Sequence, residues 1–287
     1  MSFAFAPDVP FVNSVFHPSD FSEASDDAFA HALAIAIFRQ AEFTLLHVVP
    51  ENRAVDVWSE FPAVRGTLER WGLLEEGSPR AAVFDELGVT VRKINLRDRD
   101  VLGAVREYLD ERPTDLIVLA TEGRDGVPRW IQRSVAERLA RKSKTKTLFV
   151  PHGARGFVSM EDGTISLRRI LVPIDASPPP RDAVIYASRA ASLAGEDTVA
   201  ITLLHVGDKN EMPRVEPPPD APWCTWETRQ EKGDVVEGIT RVADDLSADL
   251  IIMATQGREG ILDALRGSVT EQVVRRGGCP VLAVPAE

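Results

Sequence analysis

The chain repeats itself, and this repeat constrains its fold more than any other feature of the sequence. The segment DLIVLATEGRDG at 115–126 returns as DLIIMATQGREG at 249–260. A shift of 134 positions aligns 100–151 with 234–285 without a gap, and 18 of the 52 aligned residues are identical. Two further pairs, SVFHPSD with RILVPID and TLLHVV with TLLHVG, lie upstream in the same order. The 287 residues therefore predict two copies of one domain.

Each copy alternates apolar runs with helix-like segments. In the second copy, the runs at 170–174, 199–206, 224–228, 250–254 and 281–284 are typical of short buried strands. Asp234 is expected to cap a helix with Val235 and Ile239 on its apolar face. This alternation predicts an α/β fold of two tandem doubly wound, Rossmann-like domains, each with a five-stranded, mostly parallel sheet. We place the domains at 1–151 and 168–287, with a polar, glycine-containing linker at 152–167.

The two copies differ in length between the second strand and the glycine-containing segment. Val48 and Ala120 are 72 positions apart, whereas Val206 and Ala254 are 48 apart, so the second copy is 24 residues shorter there. The residues at 51–77 of the first copy have a helix-like pattern. The three consecutive prolines at 217–219 exclude a helix interior from the corresponding part of the second copy, which predicts a loop.

Composition excludes several classes of function. The net charge is −11, from 44 acidic and 33 basic side chains, which argues against a nucleic acid as the main partner. Two cysteines, Cys224 and Cys279, form no C-x-x-C pair and no disulfide framework, as in proteins of a reducing compartment. No apolar run reaches the roughly 18 residues that a membrane-spanning helix needs, and the first residues do not resemble a signal peptide. The sequence therefore predicts a cytoplasmic protein without a membrane partner.

A candidate anion site follows from the ends of the predicted strands. Ligands of open parallel sheets bind beyond the carboxyl ends of the strands, where Asp175, Val206 and Ala254 are expected. Gly257 and Gly267 would let backbone amides approach an anion closely. A helix that begins near Ser268 would direct its unpaired N–H groups to the same place, so phosphate could bind without a basic patch.

These features together resemble the universal stress protein family. Its nucleotide-binding members carry G-x2-G-x9-G-[S/T] after the fourth strand, an Asp after the first strand and an L-H-V-type second strand. The second copy has Ala254-x2-Gly257-x9-Gly267-Ser268, "VPIDAS" and "LLHV". The first copy has "PSDFSEAS", "LLHVV" and Ala120-x2-Gly123-x9-Arg133-Ser134. The resemblance covers almost the whole chain and implies a tandem member whose fifth strands, at 147–150 and 281–284, pair as an intramolecular pseudo-dimer.

The resemblance also implies which residues contact a nucleotide. It assigns adenine and ribose to the first two strand ends and phosphate to the glycine-containing segment. In the second copy these positions are Pro173, Ile174, Asp175, Val206, Ala254, Gly257, Gly267, Ser268 and Val269. The weaker first-copy set is Asp20, Val48, Gly123 and Ser134. Ala254 replaces the first glycine of the second copy, which adds only one methyl group. Arg133 replaces the third glycine of the first copy, where a side chain hampers close approach of the backbone. We therefore expect the second copy to hold the functional site.

The implied ligand is ATP, with Mg²⁺ accompanying it. We expect the nucleotide to act as a regulatory ligand with an unidentified protein partner, since no evident general base or Arg/Lys clamp supports fast phosphoryl transfer. His47 and His205 are interpreted as histidines packed at the sheet, and no catalytic or metal-ligating residue is expected. Two alternatives stay open: a slow ATPase or self-phosphorylating enzyme that uses Asp175, and a nucleotide-free interaction module or carrier of a small apolar ligand that uses the face at 217–222. A homodimer is also left open.

Overall fold

The computed structural model describes residues 12–49, 61–121, 145–219, 221–256 and 269–286. The first half, up to residue 151, alternates strands and helices as predicted. Its elements are β1 (Ser14–Pro18), α1 (Glu23–Arg39), β2 (Glu42–Val49), α2 (Val64–Arg70), α3 (Ala82–Asp85), β3 (Val91–Arg97), α4 (Val101–Glu111), β4 (Leu116–Thr121) and β5 (Lys146–Pro151).

The second half, from residue 168, repeats this order with fewer helices in its described part. Its elements are β6 (Arg169–Pro173), α5 (Arg181–Ala191), β7 (Val199–Val206), β8 (Cys224–Glu231), α6 (Val235–Asp245), β9 (Leu250–Gln256), α7 (Val269–Arg276) and β10 (Val281–Ala286). Helix α5 begins directly after Pro180 and continues as a 3-10 turn, Ser192–Ala194, to Gly195, where φ is +67°. Glycine adopts that left-handed conformation without steric cost, which explains why the helix ends there.

The strands of both halves form one ten-stranded sheet in the order β3-β2-β1-β4-β5-β10-β9-β6-β7-β8. Strand pairs within each half are parallel, whereas β5 and β10 are antiparallel. Leu148 lies opposite Leu282, and Phe149 lies opposite Val281. The predicted pairing of the two fifth strands is therefore confirmed. Because that pair is antiparallel, the carboxyl ends of the parallel strands point in opposite directions in the two halves.

Helices cover both faces of the sheet, as the apolar sequences of the central strands require. All six residues of β4 are buried. Helices α1 and α5 pack in a shared core on one face, through residues such as Leu33 and Ala187. On the other face α4 packs through Val105, and α6 and α7 share a core through Ile239 and Val273.

The length difference between the copies appears as a difference in helix content. In the first half, α2 and α3 precede β3, and residues 51–60 of the predicted stretch lie outside the described residues. In the second half, the stretch between β7 and β8 contains a single three-residue 3-10 turn, Lys209–Glu211, in its described part. The prediction that a loop replaces a helix in the second copy is confirmed.

The predicted linker at 152–167 is packed against both halves. Phe157 is 1% exposed, and its N–H donates to His31 Nε2 of α1 at 3.2 Å. The Arg155 guanidinium donates to the carbonyl oxygens of Ser247 and Ala248 in the second half. A polar sequence thus folds as a fixed connection because a few buried side chains anchor it. The domain boundaries at its two ends stay a prediction.

Acid should destabilise this fold through two buried histidines. Burial lowers the pKa of His17 and of His31 from 6.5 to about 4. In the unfolded chain the two histidines bind protons as the pH falls below about 6.5, whereas in the folded chain they bind protons only near pH 4. We expect full stability above pH 6.5 and a loss of up to about 3 kcal/mol per histidine as the pH falls to 4.

Urea unfolding between pH 7.5 and 4.5 measures this loss. Val172 aligns with His17, so His17→Val is the natural test variant, and its unfolding midpoint should fall less on acidification than that of the wild type. His152→Gln is the comparison for a half-exposed histidine: His152 lies 3.0 Å from the Asp27 carboxylate, so its loss should not make the midpoint fall less on acidification. If the unfolding midpoint depends on pH in the same way in wild type and His17→Val, His17 is not a source of the acid sensitivity.

Candidate functional site

The order of strands reverses between β6 and β9. These strands are neighbours in the sheet, but the chain leaves β6 towards β7 on one side and leaves β9 towards β10 on the other. The two connections therefore separate above the sheet, which creates a crevice at the carboxyl ends of the strands. A cavity of about 280 Å³ lies at this point, close to the lower end of the size range of small-molecule sites.

Six of the nine predicted second-half residues line this cavity. They come from the end of β6, the end of β7, the end of β9 and the first residue of α7, and they are Pro173, Ile174, Asp175, Val206, Ala254 and Val269. Gly257, Gly267 and Ser268 lie outside the described residues. The fold thus brings the described members of the predicted set together, and their contact with a ligand stays a prediction.

The apolar wall of the cavity was missing from the sequence prediction. Val235 and Ile239 of α6, together with Leu204 and Met253, line the side facing the helices. The amphipathic pattern of 235–246 predicted Val235 and Ile239 on one face of a helix, but it could not show that this face reaches the ligand end of the sheet. A largely apolar cavity with a few polar groups is the usual composition of a small-molecule site.

Two local features fix α6 beside the cavity. Asp234 Oδ1 accepts a hydrogen bond from the Glu237 N–H at 3.0 Å, which confirms the predicted helix cap. Gly238 allows close packing, since a Cβ there would lie 3.0 Å from a methyl carbon of Val206. Helix α6 therefore begins at the cavity and packs directly against Val206, which forms part of the cavity wall.

The polar groups of the cavity have opposite electrostatic character. Asp175 is the charged residue among the described lining residues; it is exposed, and its Oδ1 accepts the Ala176 N–H at 2.6 Å. Val269 and Thr270, the first described residues of α7, lie at the same cavity. The first N–H groups of a helix lack intrahelical partners and carry partial positive charge. The cavity thus offers a carboxylate for hydroxyl groups and a helix end for an anion.

The mouth of the cavity is bridged by a polar pair that sequence analysis missed. Gln256 Nε2 donates to Ser177 Oγ at 3.4 Å, and both residues line the cavity. Gln256 ends β9, and Ser177 follows β6 by four positions. No periodic pattern links these two positions, so only the fold reveals the pair.

In the first half, the corresponding carboxylate, Asp20, already accepts hydrogen bonds from nearby serines. Asp20 Oδ1 accepts from Ser22 N, Ser22 Oγ and Ser25 Oγ at 3.1, 2.6 and 2.8 Å. Desolvation alone would raise the pKa of the Asp20 carboxyl, but these hydrogen bonds outweigh it and hold the pKa below its ordinary value. Pro180 stands in the second half where Ser25 stands in the first, so Asp175 lacks one of these donors.

Aromatic packing adds to the difference between the halves. Phe21, which aligns with Ala176, stacks on His47 with ring centroids 4.0 Å apart and meets Phe61 edge-on at 5.1 Å. Val48, the counterpart of Val206, is 8% exposed. The remaining first-half predictions, Gly123 and Ser134, lie outside the described residues, as does Arg133.

The two strand histidines pack at the sheet, as predicted. His47 Nδ1 lies 2.7 Å from the Ser19 carbonyl oxygen, and His205 Nδ1 lies 3.2 Å from the Ile174 carbonyl oxygen. These contacts occur at aligned positions and join the second strand of each half to the end of the first. Cys279, one of the two cysteines outside any C-x-x-C pair, is 4% exposed.

Within the described ranges, no group of three or more His, Cys, Asp or Glu side chains is arranged to hold a metal ion. In the same part of the chain, no helix has the length and apolarity that crossing a bilayer demands.

Many protein families share a doubly wound α/β fold with a cavity at the switch point. Comparison with known families shows which of them this chain belongs to. A model described as the universal stress protein family matches residues 14–151 and 218–285. The chain belongs to this family, as its motifs predicted.

Individual relatives support the tandem arrangement. A universal stress protein of Mycobacterium tuberculosis is 23% identical over 290 residues, which cover 92% of this chain and 94% of the relative. A shorter one from Synechocystis is 31% identical over 148 residues, covering 43% of this chain and 88% of the relative. A crystal structure of a universal stress protein from Archaeoglobus fulgidus superposes with a TM-score of 0.61 at 20% identity and covers 96% of both chains. The match therefore spans both halves of the chain.

Removal of the α6 cap should loosen the cavity wall. Asp234→Ala leaves the Glu237 N–H without its acceptor, so we expect the free energy of unfolding to fall by about 1 kcal/mol. Asp234→Asn keeps a side-chain oxygen at the same place and should lose only a few tenths of a kcal/mol. Denaturant unfolding of both variants measures the difference. Equal losses for Ala and Asn would show that the hydrogen bond does not stabilise α6.

Proposed function

We propose that this protein is a stress-response nucleotide-binding protein that holds ATP mainly in the cavity of its second half. The observation that carries the proposal is the convergence of Asp175, Val206, Ala254 and the start of α7 on one cavity at the switch point. Family membership supports it, and so does the glycine-containing motif that follows β9.

Each part of a nucleotide matches one part of the cavity. The apolar wall of Leu204, Ile239 and Met253 suits the faces of a flat base. The Asp175 carboxylate accepts hydrogen bonds from ribose hydroxyl groups. The phosphates extend towards the amino-terminal end of α7 and the amides of Gly257, Gly267 and Ser268, and Mg²⁺ arrives with them.

We assign the nucleotide to the second half because the carboxylate of the first half already accepts hydrogen bonds from protein groups. In the first half, Asp20 Oδ1 already accepts three hydrogen bonds from Ser22 and Ser25, so a ribose would compete with them or use the other carboxylate oxygen alone. Asp175 accepts one short hydrogen bond from its neighbour Ala176, and its exposed carboxylate keeps acceptor capacity. Arg133 in place of the third motif glycine weakens the first-half phosphate loop further.

The nucleotide acts as a regulatory ligand in this proposal. Among the described lining residues of the cavity there is no Lys, Arg or His, and Asp175 is the one ionisable group. Fast phosphoryl transfer uses cationic groups that stabilise the transition state, which this lining does not supply. A cytoplasmic location and a protein partner that responds to the bound nucleotide belong to the same proposal.

Paired alanine variants test the assignment. Asp175→Ala should weaken ATP binding about tenfold or more, since a hydrogen bond to a charged group contributes about 1.5–3 kcal/mol. Asp20→Ala should leave the affinity within about twofold of wild type. Isothermal titration calorimetry with Mg·ATP measures both values, and a parallel assay for ADP tests the ATPase alternative. Two equal sites per chain, or equal losses in the two variants, would contradict the proposal.

A further inference from the structure

One histidine ring joins the two turns that border the cavity. His205 Nδ1 lies 3.2 Å from the carbonyl oxygen of Ile174, and Nε2 lies 3.0 Å from the carbonyl oxygen of Asp208. Ile174 directly precedes Asp175, and Asp208 follows the end of β7 by two positions. The side chain itself is 3% exposed. The ring therefore holds the turn that bears Asp175 against the turn that follows Val206.

The chemistry of the two partners restricts the state of the ring. A carbonyl oxygen accepts hydrogen bonds and cannot donate them, and a neutral imidazole carries a single N–H. The two hydrogen bonds exist together only when both ring nitrogens carry hydrogen. When the ring loses one proton, one carbonyl oxygen loses its donor and faces a nitrogen lone pair instead.

The turn after β7 is shaped to close over this ring. The Gly207 N–H donates to the Glu231 carbonyl oxygen at 2.9 Å, and Gln230 Nε2 donates to the Gly207 carbonyl oxygen at 2.7 Å. A Cβ on residue 207 would lie 3.0 Å from His205 Nε2. Glycine thus lets the backbone approach the imidazole, and β8 holds the turn from the other side.

The surroundings of the ring carry charges of both signs. The turn after β6, the first turn of α5 on the same face, the turn after β7 and the neighbouring strand β8 carry the nearby charges, while α6 packs against the opposite face of β7. These charged residues are Asp175, Arg181, Asp182, Asp208, Lys209, Arg229 and Glu231. Glu231 is already paired with Arg229 of β8 and Arg241 of α6, each at 2.8 Å.

The first half provides a built-in comparison. His47 Nδ1 makes the corresponding contact with the Ser19 carbonyl oxygen at 2.7 Å. Its ring stacks on Phe21, and within the described residues it has this one carbonyl partner. The residue that aligns with Asp208 is Pro50, which lies outside the described residues, so the comparison covers the Nδ1 contact and the aromatic neighbour.

We infer that His205 is a positioning residue whose doubly protonated ring fixes the two turns, so that ligand affinity in the second-half cavity falls as the pH rises. This inference rests on the function proposed above, because the two turns carry Asp175 and Val206.

The state of the ring is tested without any ligand. Nitrogen-15 NMR of the histidine side chains, assigned with His205→Gln, should show hydrogen on both His205 ring nitrogens at about pH 6. Both should also be protected from exchange with solvent, as hydrogen-bonded buried groups are. A ring with one bare nitrogen at this pH overturns the inference.

Two variants separate the two hydrogen bonds. His205→Asn retains a donor near the Nδ1 position, and His205→Gln retains one near the Nε2 position. At about pH 6 each should bind Mg·ATP about fivefold more weakly than wild type, which is the effect of one lost hydrogen bond. At about pH 8.5 the ratio of variant to wild-type Kd should approach one, because the wild-type ring then keeps a single bond. The ratio cancels the titration of the nucleotide itself.

The outcomes distinguish the inference about His205 from the proposed nucleotide-binding function. His47→Asn, the matched control in the first half, should leave the Kd unchanged at both pH values. A variant-to-wild-type ratio that stays the same at both pH values reveals a merely structural role and overturns the inference. If wild type binds no nucleotide at either pH, the proposed function fails, and the NMR measurement still decides whether the ring is doubly protonated.

Discussion

The antiparallel pair formed by β5 and β10 is the constraint on which the rest of the molecule depends. Each half alone would end in an apolar strand with unpaired backbone groups, and such an edge invites aggregation. Pairing Leu148 with Leu282 and Phe149 with Val281 removes both edges at once. The two strands left at the rim of the sheet, β3 and β8, carry charged side chains such as Lys93 and Glu227. The sheet thus keeps its apolar strands inside and its charged strands outside.

This pairing also separates the two nucleotide positions that the repeat implies. Because the strands of the halves run in opposite directions, Asp20 and Asp175 lie at opposite ends of the sheet. Duplication followed by independent change is consistent with what the two ends show: a cavity with an available carboxylate at one, and a carboxylate held by serines at the other.

Contacts that support the backbone are kept in both copies, whereas groups that face the ligand position differ. Asp115 accepts two backbone N–H groups at the start of β1, and Asp249 does the same at the start of β6. The carbonyl contacts of His47 and His205 are repeated as well. In contrast, Phe21 and Ser25 are replaced by Ala176 and Pro180. The repeat thus preserves the folding constraints and diverges where a ligand would lie.

Much of this structure followed from the sequence, since the decisive signals are local. Apolar runs predicted the strands, Asp234 predicted a helix start, and the repeated motif predicted which strand ends surround the cavity. Contacts between distant residues were not predictable, because no pattern encodes them. The Trp71 Nε1–H donates to the Met160 carbonyl oxygen across 89 positions, and such contacts turn the polar linker into a packed segment. The second partner of His205 depends on how one turn closes, which a motif does not describe.

A crystal structure of the protein grown with Mg²⁺ and a non-hydrolysable ATP analogue tests the central claim most directly. The account predicts one analogue per chain, with its ribose hydroxyls on Asp175 and its base against Ile239 and Met253, while Asp20 keeps its hydrogen bonds to Ser22 and Ser25. Analogue bound equally in both halves, or bound away from the cavity between β6 and β9, would contradict it.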